Sequence, residues 1–380
     1  MNAHNQPIAF LGGLTAEAFL RDHWQKKPLF VPNAFPHLAQ ALSPKELKTL
    51  ARNEDMQSRL VLKQNDRWDL QHGPFSAQKL ARLPAQDWSL LVQGINHVLP
   101  EAAQLLQAFP FIPTARLDDV MVSLAPTGGG VGPHFDSYDV FLIQGCGSKR
   151  WQISAQQDQS LIESIPLRIL QHFQAEQEWL VNPGDLLYLP PRYAHHGVSL
   201  SDDSMTWSVG FRAPKAQELG QQFLMYLEER LQLDGMYADP DLRVPLHPAE
   251  IGPDMIRQVG EMLRRISWSD TDVADFLGHY LTEPKPHIFF ESDDFIEDVT
   301  EFADMLNQQG VRLALASQML FQGNRFYLNG ESVDAPSSLH PWLARLADSR
   351  RLPPDSYPEE LAELLFPWFE AAYLERGVTP

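Results

Sequence analysis

The spacing of hydrophobic positions divides the chain into three stretches. Between Arg116 and Ala213 the apolar residues form short runs separated by glycine and proline, a pattern that predicts β-strands. Before this stretch, and again after Pro214, apolar residues recur largely at helical spacing. We therefore expect an α+β protein in which a closed or sandwiched β structure is flanked by helices. A double-stranded β-helix of the cupin type suits the central stretch, because it brings two distant strand ends to one mouth.

The N-terminal stretch predicts helices and a pair of strands. Ser43, Pro44 and Glu46 form a helix start with an N-cap serine, a proline in the first turn and a glutamate at the capping-box position. We interpret the tryptophans at 24, 88 and 151 as core residues. The predicted elements are a helix that follows Leu14–Thr15 and runs to about His23, an extended segment at 27–32, the helix beginning at Ser43, paired strands across 58–70 with a turn at Asn65–Asp66, and a helical pattern across 87–109 that Pro100 breaks or restarts.

The C-terminal stretch predicts a helical block and then a smaller mixed segment. One amphipathic helical stripe opens the block, a second amphipathic stretch runs from about Pro253 to Leu281, and residues 283–286 resemble a linker. Beyond it we expect a helix at 294–309, a hairpin through 322–324 and 329–330, and helices near the end. We thus divide the chain into 1–213, 214–284 and 285–380. The helical stripe that opens the block consists of Leu219, Phe223, Tyr226, Leu227 and Leu231.

The candidate chemistry lies in GGGVGPHFDSYDVFLIQGCGSKRW, residues 128–151. In a strand, residues two apart face the same side, so His134 and Asp136 can converge on one point. A third ligand is expected from residues 183–200, where His195 and His196 are the two candidates. Two histidines and one carboxylate, with open positions opposite, suit a non-haem iron(II) centre.

A cation near this centre would pair with an acidic co-substrate. Either Lys149 or Arg150 can point inward from the strand that leads to Trp151. A buried lysine is costly unless it is paired, and a dicarboxylate such as 2-oxoglutarate would supply the pairing.

A second set of residues alternates on strand faces near the metal motif. The conservative interpretation of these residues is strand packing, which for a lone methionine is the better one. Together, a carboxylate, a thioether and a phenol could form a slot for a guanidinium group, with charge-assisted hydrogen bonds and stacking on the ring. The residues are Asp119, Met121, Ser123, Tyr138 and Ser208.

These motifs resemble those of the JmjC branch of the 2-oxoglutarate oxygenases. The resemblance rests on HFD at 134–136, on a lysine thirteen residues after Asp136, and on a histidine after PGD and PP. It is closer still to the bacterial ribosomal oxygenases, which hydroxylate an arginine of large-subunit ribosomal protein sixteen. The segments that carry this likeness are HWQKKPLFV (23–31), HGPF (72–75), GGGVGPHFDSYDVF (128–141) and SVGFRAP (208–214).

The resemblance implies a fold, a site and a reaction. It implies iron(II) bound by His134, Asp136 and His195, with 2-oxoglutarate and dioxygen as co-substrates. It favours Lys149 for the distal carboxylate of 2-oxoglutarate, although many bacterial relatives have arginine there, and Thr206 for its other end. It assigns substrate contacts to Asp119, Met121, Tyr138 and Ser208, and implies hydroxylation of an arginine β-carbon. It also implies a homodimer contact in 214–284 and a winged-helix-like domain in 285–380.

Three alternatives remain open from the sequence. The same iron chemistry could demethylate lysine or hydroxylate another residue such as histidine. A third possibility is a non-catalytic, metal-binding cupin scaffold. A structural cupin has no need of a buried cation facing the metal, so Lys149 favours an enzyme over the scaffold.

Composition restricts the setting and the partners. The formal net charge is −19 over 380 residues, and residues 285–380 hold 16 acidic and 7 basic side chains, so we expect no direct binding to DNA. An acidic surface would suit a basic ribosomal protein. The single cysteine, Cys146, fits a reducing cytoplasm. No signal peptide or membrane span is expected.

Overall fold

The computed structural model describes residues 6–64, 67–292 and 294–377, which form two compact units. The first unit contains the described residues of Met1–Ala213, Lys285–Asp293 and Ala314–Ala316. The second contains those of Pro214–Pro284, Asp294–Leu313 and Ser317–Pro380. Within the described ranges, no helix is both long and apolar enough to cross a bilayer. The three-part division made from the sequence stays a prediction, and the structure places residues 285–292 with the first unit.

Two antiparallel sheets and four α-helices build the first unit. The helices are α1 (Ala16–Asp22), α2 (Pro44–Leu50), α3 (Ala77–Ala81) and α4 (Pro100–Gln107). The strands are β1 (Leu29–Val31), β2 (Ser58–Gln64), β3 (Arg67–His72), β4 (Trp88–Val92), β5 (Leu117–Ala125), β6 (His134–Phe135), β7 (Val140–Cys146), β8 (Lys149–Ser154), β9 (Gln177–Val181), β10 (Leu186–Leu189), β11 (Ala194–Ser199) and β12 (Ser204–Phe211).

The two sheets enclose a barrel interior. One sheet has eight strands in the order β1-β10-β7-β12-β5-β4-β2-β3, and the other has four in the order β6-β11-β8-β9. One hydrophobic cluster joins the facing sides of both sheets, which is the arrangement of a double-stranded β-helix. Its buried members are Val140, Leu142, Leu187 and Leu189 from the larger sheet and Trp151, Ile153 and Val181 from the smaller one.

The opposite face of the larger sheet carries the main core. Alternate residues of β12, among them Trp207 and Phe211, point away from the barrel and pack against the N-terminal helices. Phe19 of α1 lies 5.6 Å from Phe141 and 5.0 Å from Tyr188, measured between ring centroids. Alternation therefore separates an outer apolar core from an inner face that is free to carry polar groups.

Local predictions in the N-terminal stretch are largely confirmed, with one error. Ser43 and Glu46 form the expected capping box at the start of α2. Strands β2 and β3 pair as expected, and the predicted turn at Asn65–Asp66 lies outside the described residues. The helix predicted across 87–109 is wrong for its first part, because Trp88–Val92 is a strand buried between β2 and β5. A short run of consecutive apolar residues gives the same hydrophobic pattern whether it forms a buried strand or a buried helix.

The second unit combines a helical block with two small sheets. Its helices are α5 (Ala216–Glu228), α6 (Pro253–Leu263), α7 (Asp270–Thr282), α8 (Val299–Gln309), α9 (His340–Ser349) and α10 (Glu359–Glu370). Its strands are β13 (Val311–Leu313), β14 (Met319–Gln322), β15 (Arg325–Leu328), β16 (Glu331–Asp334), β17 (Arg351–Leu352) and β18 (Leu374–Arg376). The hairpin turns predicted at 322–324 and 329–330 are confirmed by the β14-β15-β16 sheet.

Candidate active site

Three side chains that could hold a metal converge inside the barrel. His134 on β6 and His195 on β11 are direct cross-strand partners, and Asp136 follows β6. The Nε2 atom of His134 lies 3.8 Å from Asp136 Oδ1, and that of His195 lies 3.5 Å from Asp136 Oδ2. Their candidate ligand atoms all lie within 4.8 Å of one another. Two imidazoles and one carboxylate on one side of a point leave the other side open for further ligands.

Backbone hydrogen bonds fix both imidazole rings. Nδ1 of His134 lies 2.9 Å from the carbonyl oxygen of Gly132, and Nδ1 of His195 lies 3.0 Å from that of Tyr193. A carbonyl oxygen can only accept a hydrogen bond, so each Nδ1 must carry the proton. Each Nε2 therefore presents its lone pair toward Asp136, as a metal ligand requires.

Burial keeps His195 neutral near pH 7. Its side chain is 3% exposed, and desolvation, followed by the charge of His134, lowers its pKa to about 4. The nearby Asp136 carboxylate opposes this shift without reversing it. A metal therefore meets an imidazole that has no proton to lose from its ligand nitrogen.

Strand alternation separates the two candidate histidines. His195 faces the cluster, whereas its neighbour His196 lies on the other face of β11, with its ring edge-on to Phe173 at 6.0 Å between centroids. The preference for His195 thus agrees with the geometry.

Lys149 points into the barrel, and Arg150 is exposed. The lysine is 5% exposed, and burial lowers the pKa of its ammonium group to about 8. Its Nζ lies 5.5 Å from the centroid of the Trp151 ring, and it has no hydrogen bond or ion pair with any residue that the structure describes. A buried cation without an anion favours an acidic ligand.

Trp151, which the sequence analysis assigned to the core, adds a second hydrogen-bond donor. The side chain is 7% exposed, and its indole N–H has no acceptor among the described residues. Its ring lies over Gly197, where a Cβ would approach the ring to 2.7 Å, and its centroid is 5.8 Å from that of His195. The ring therefore borders both the ammonium of Lys149 and a candidate metal ligand. The parity of Trp151 with Lys149 on β8 was the sequence signal that could have revealed it.

These donors fit a dicarboxylate that reaches from Lys149 to the metal cluster. Both unpaired donors face the barrel interior, and an anion held there would satisfy them. The three metal-binding side chains lie at the other end of this path. The residues present thus match both iron(II) and 2-oxoglutarate.

Thr206 lies on the inner face of the barrel, but its hydroxyl group is already in use. It is 2% exposed and donates a hydrogen bond of 3.1 Å to Gln144 Oε1. Gln144 in turn donates to Ser204 Oγ at 2.9 Å. Donation from Thr206 to a co-substrate carboxylate would require the first of these bonds to break.

Asp119 is a buried carboxylate at the end of the inner face of β5. It is 3% exposed and accepts hydrogen bonds from the Gly94 N–H at 3.1 Å and from Gln93 Nε2 at 3.3 Å. Burial, followed by the charge of Asp118, raises its pKa, and the ammonium group of Lys285 counteracts the rise. Gln93 and Lys285 come from distant segments, and no sequence pattern pointed to them.

The other predicted substrate contacts surround Asp119. Met121 is two residues along the same strand and pairs with Ser208 on β12. The residue Tyr138 as a whole is 38% exposed, and burial of its phenol, followed by the charges of Asp136 and Asp119, raises the pKa of that group. A Cβ at Gly210 would lie 3.9 Å both from this ring and from the backbone oxygen of Asp119. The tyrosine therefore lies near the backbone of Asp119 and within reach of the charges of both Asp136 and Asp119.

Comparison with known proteins identifies the family. A JmjC-domain family model matches residues 104–219, and a model described as a ROXA-like winged helix matches residues 264–375. The ribosomal protein uL16 3-hydroxylase of Escherichia coli K12 is 34% identical over 94% of this chain and 95% of its own length. The chain belongs to the JmjC-domain ribosomal oxygenases. A probable ribosomal oxygenase of Haemophilus influenzae is 44% identical over 54% of this chain and 52% of its own.

Solved structures of ribosomal oxygenases have the same fold. The X-ray structure of E. coli YcfD aligns with a TM-score of 0.83 at 32% identity, covering 96% of this chain and 98% of that one. The YcfD complex with cobalt and 2-oxoglutarate aligns over the same shares with a TM-score of 0.80 and 32% identity. The predicted fold class, a double-stranded β-helix with a winged-helix-like C-terminal domain, is confirmed. The protein is an oxygenase that uses iron(II) and 2-oxoglutarate.

Proposed function

We propose that this oxygenase hydroxylates the β-carbon of an arginine side chain in large-subunit ribosomal protein uL16. The E. coli relative bears the name uL16 3-hydroxylase, and the two chains are similar over nearly their full lengths. The observation that carries the proposal is Asp119, a buried carboxylate whose pKa is raised by burial and whose backbone lies near the Tyr138 ring. Such a carboxylate gains most from a cationic side chain that enters the pocket.

The side chains of the barrel have distinct roles in this proposal. His134, Asp136 and His195 hold iron(II), with the two rings fixed by their backbone hydrogen bonds. Bound iron, together with dioxygen and 2-oxoglutarate, supplies the oxidising power for hydroxylation. Lys149 pairs with the distal carboxylate of 2-oxoglutarate, and the Trp151 ring forms one wall of the same pocket.

Selectivity for arginine comes from the pocket, because the iron chemistry itself does not depend on the target side chain. Asp119 would accept two hydrogen bonds from a guanidinium group, and the Tyr138 ring would stack on its plane. Met121 and Ser208 would line the side of the slot. A neutral imidazole can form no ion pair with this carboxylate, so it would gain neither of these contacts in full.

Substitution of Asp119 tests this assignment. We expect Asp119→Ala to lose most hydroxylation of an arginine-containing uL16 peptide, yet to keep metal and 2-oxoglutarate binding and to form succinate slowly without product. Mass spectrometry would compare this peptide with its lysine and histidine variants, and Glu101→Ala, an exposed carboxylate on α4, is the control. Equal hydroxylation of the histidine and arginine peptides by wild-type enzyme, or an unchanged preference in Asp119→Ala, would contradict the assignment.

The cellular substrate can be identified by the intact masses of ribosomal proteins. Cells that lack the gene should contain uL16 lighter by one oxygen atom than cells that express it. Removal of methyl groups from a lysine would favour the demethylase alternative. Identical masses for every ribosomal protein would remove support for a ribosomal substrate. Since ribosomes would supply the substrate, we also place the enzyme in the cytoplasm, which fractionation would test.

We further propose that residues 214–284 form a homodimer contact. Among the described residues, α5 and α6 contain no buried side chain, although both are amphipathic. Phe223 and Tyr226 pack on Phe276 of α7, yet many apolar neighbours face solvent. A monomeric mass by light scattering at micromolar concentration would contradict the proposal. The exposed apolar residues include Leu224, Met225, Met236, Val244, Leu246 and Trp268.

A further inference from the structure

The carboxylate proposed to bind substrate already has a cationic neighbour from the same chain. Nζ of Lys285 lies 3.5 Å from Asp118 Oδ1 and 3.8 Å from Asp119 Oδ2. Lys285 belongs to the first unit together with β5, so these contacts lie within one compact body. One further contact orders the segment internally, and a second links it to the residue before β2. The Ile288 N–H donates to the carbonyl oxygen of Lys285 at 2.9 Å, and Gln57 Nε2 lies 3.4 Å from His287 Nδ1.

The geometry of this contact is that of an exchangeable ion pair. Both distances exceed those of charge-assisted hydrogen bonds, which are about 2.7–2.9 Å. The Lys285 side chain is 36% exposed, so water can solvate the ammonium group when it leaves. Asp119 has two shorter hydrogen bonds, from Gly94 and Gln93, which hold its carboxylate in place without Lys285.

The local charges imply competition with a cationic substrate. Asp118 and Asp119 contribute two negative charges, and Lys285 and Arg212 contribute two positive ones, with Arg212 Nε 3.6 Å from Asp118 Oδ1. A substrate cation would thus approach two carboxylates whose negative charges are already balanced by Lys285 and Arg212. The substrate cation must therefore either displace Lys285 or bind next to it and be repelled by its positive charge.

We propose that Lys285 is a built-in competitor for the cation pocket at Asp119, which a cationic substrate fills only by displacing it. This inference rests on the proposed substrate role of Asp119. A guanidinium can replace the loose contact with two parallel hydrogen bonds to one carboxylate. A substrate ammonium offers only what Lys285 already provides, so it gains little from the exchange.

Binding measurements with Lys285→Met test the inference without requiring turnover. The ligand is an arginine-containing uL16 peptide or its lysine variant, titrated calorimetrically into protein loaded with manganese(II) and 2-oxoglutarate. We expect Lys285→Met to bind the arginine peptide about fivefold more tightly. Displacement of Lys285 costs either cationic peptide the same free energy, so we expect an equal gain for the lysine peptide and an unchanged preference for arginine. Lys45→Met, which removes an exposed lysine on α2 and changes the net charge equally, should match wild type.

The outcomes separate this inference from the proposed function. Unchanged or weaker binding of the arginine peptide by Lys285→Met overturns it, and so does a gain that is confined to one of the two cationic peptides. If the predicted gains appear but wild type does not hydroxylate the peptide, the proposed function fails and the competitor role stands. If neither protein binds the arginine peptide, both proposals fail. An unchanged affinity for 2-oxoglutarate confirms that Lys285→Met retains its fold.

Discussion

The lowered pKa of Lys149 predicts that 2-oxoglutarate binding weakens as the pH rises above 8. In the ligand-free protein, burial lowers the pKa of this ammonium group from 10.5 to about 8. A bound carboxylate stabilises the charged form, so the complex keeps the proton to a higher pH. Binding above pH 8 must therefore be accompanied by uptake of a proton.

The size of the effect follows from the fraction of charged lysine. With a pKa of about 8, roughly nine tenths of the groups are charged at pH 7 and roughly one tenth at pH 9. The apparent dissociation constant for 2-oxoglutarate should rise about tenfold over this range, or about 1.4 kcal/mol. His195 does not contribute, because its pKa of about 4 leaves it neutral throughout.

Calorimetry under anaerobic conditions, with manganese(II) in place of iron(II), would measure this coupling. Titrations in buffers of different ionisation enthalpy count the protons taken up, and we expect about one proton at pH 9 and about a tenth of one at pH 7. Lys149→Arg is the control, because a guanidinium group does not titrate in this range. It should bind 2-oxoglutarate with an affinity that does not change with pH. A flat profile for wild type, or an equal slope for Lys149→Arg, would refute the reasoning.

The same shift has a consequence for the stability of the ligand-free protein. Because the folded-state pKa is lowered, the unfolded chain binds more protons between about pH 8 and 10.5, and the contribution of Lys149 to stability rises across this window. Below pH 8 the buried charge costs about 3 kcal/mol. We therefore expect Lys149→Met to unfold at a higher temperature than wild type at pH 7 in the absence of 2-oxoglutarate. Lower stability of the variant would show that Lys149 is paired within the protein.

Alanine substitution at any metal-binding residue should abolish 2-oxoglutarate turnover and cobalt(II) binding measured by absorption, with an unchanged circular dichroism spectrum. His196→Ala, one residue from the cluster but on the other strand face, should keep both properties, and the reverse result would reassign the distal ligand. Trp151→Phe should weaken 2-oxoglutarate binding about tenfold through loss of the indole N–H alone, without effect on cobalt(II). Trp179→Phe, at the cross-strand neighbour of Trp151, should change neither affinity, and equal behaviour of the two variants would remove Trp151 from the pocket. The metal-binding residues are His134, Asp136 and His195.

The parts of the site that follow strand alternation could be predicted from the sequence. The two-residue spacing of His134 and Asp136 placed both on one side, and the structure brings them to His195. The inward direction of Lys149 and the opposite face of His196 also follow alternation, once the strands are known. These features are local, since the pleat of a strand fixes side-chain direction whatever lies around it.

The features that could not be predicted from the sequence depend on the tertiary surroundings of a segment. Residues Trp88–Val92 became a strand because β2 and β5 supply partners on both sides, and a run of apolar residues contains no information about those partners. Lys285 lies in a proline-rich segment that resembles a linker, and its position near Asp119 depends on tertiary packing. The assignment of Trp151 to the core is confirmed, but its unpaired indole N–H could not be predicted, because it depends on which acceptors surround the ring.

The barrel combines a stable outer core with an inner face that is destabilised until it binds its co-substrate. Strand β12 presents aromatic and aliphatic residues to the N-terminal helices and polar ones to the interior, so the packing of the outer core offsets the free-energy cost of the polar inner face. An uncompensated ammonium at Lys149 and an unpaired N–H at Trp151 both penalise the ligand-free fold. An anion that satisfies both donors recovers that free energy on binding, and it stabilises the folded state by an amount that grows with the logarithm of its concentration divided by Kd. Preorganised donors therefore serve recognition at the expense of the ligand-free protein, and a substitution that relieves one of them should raise stability and lower affinity together.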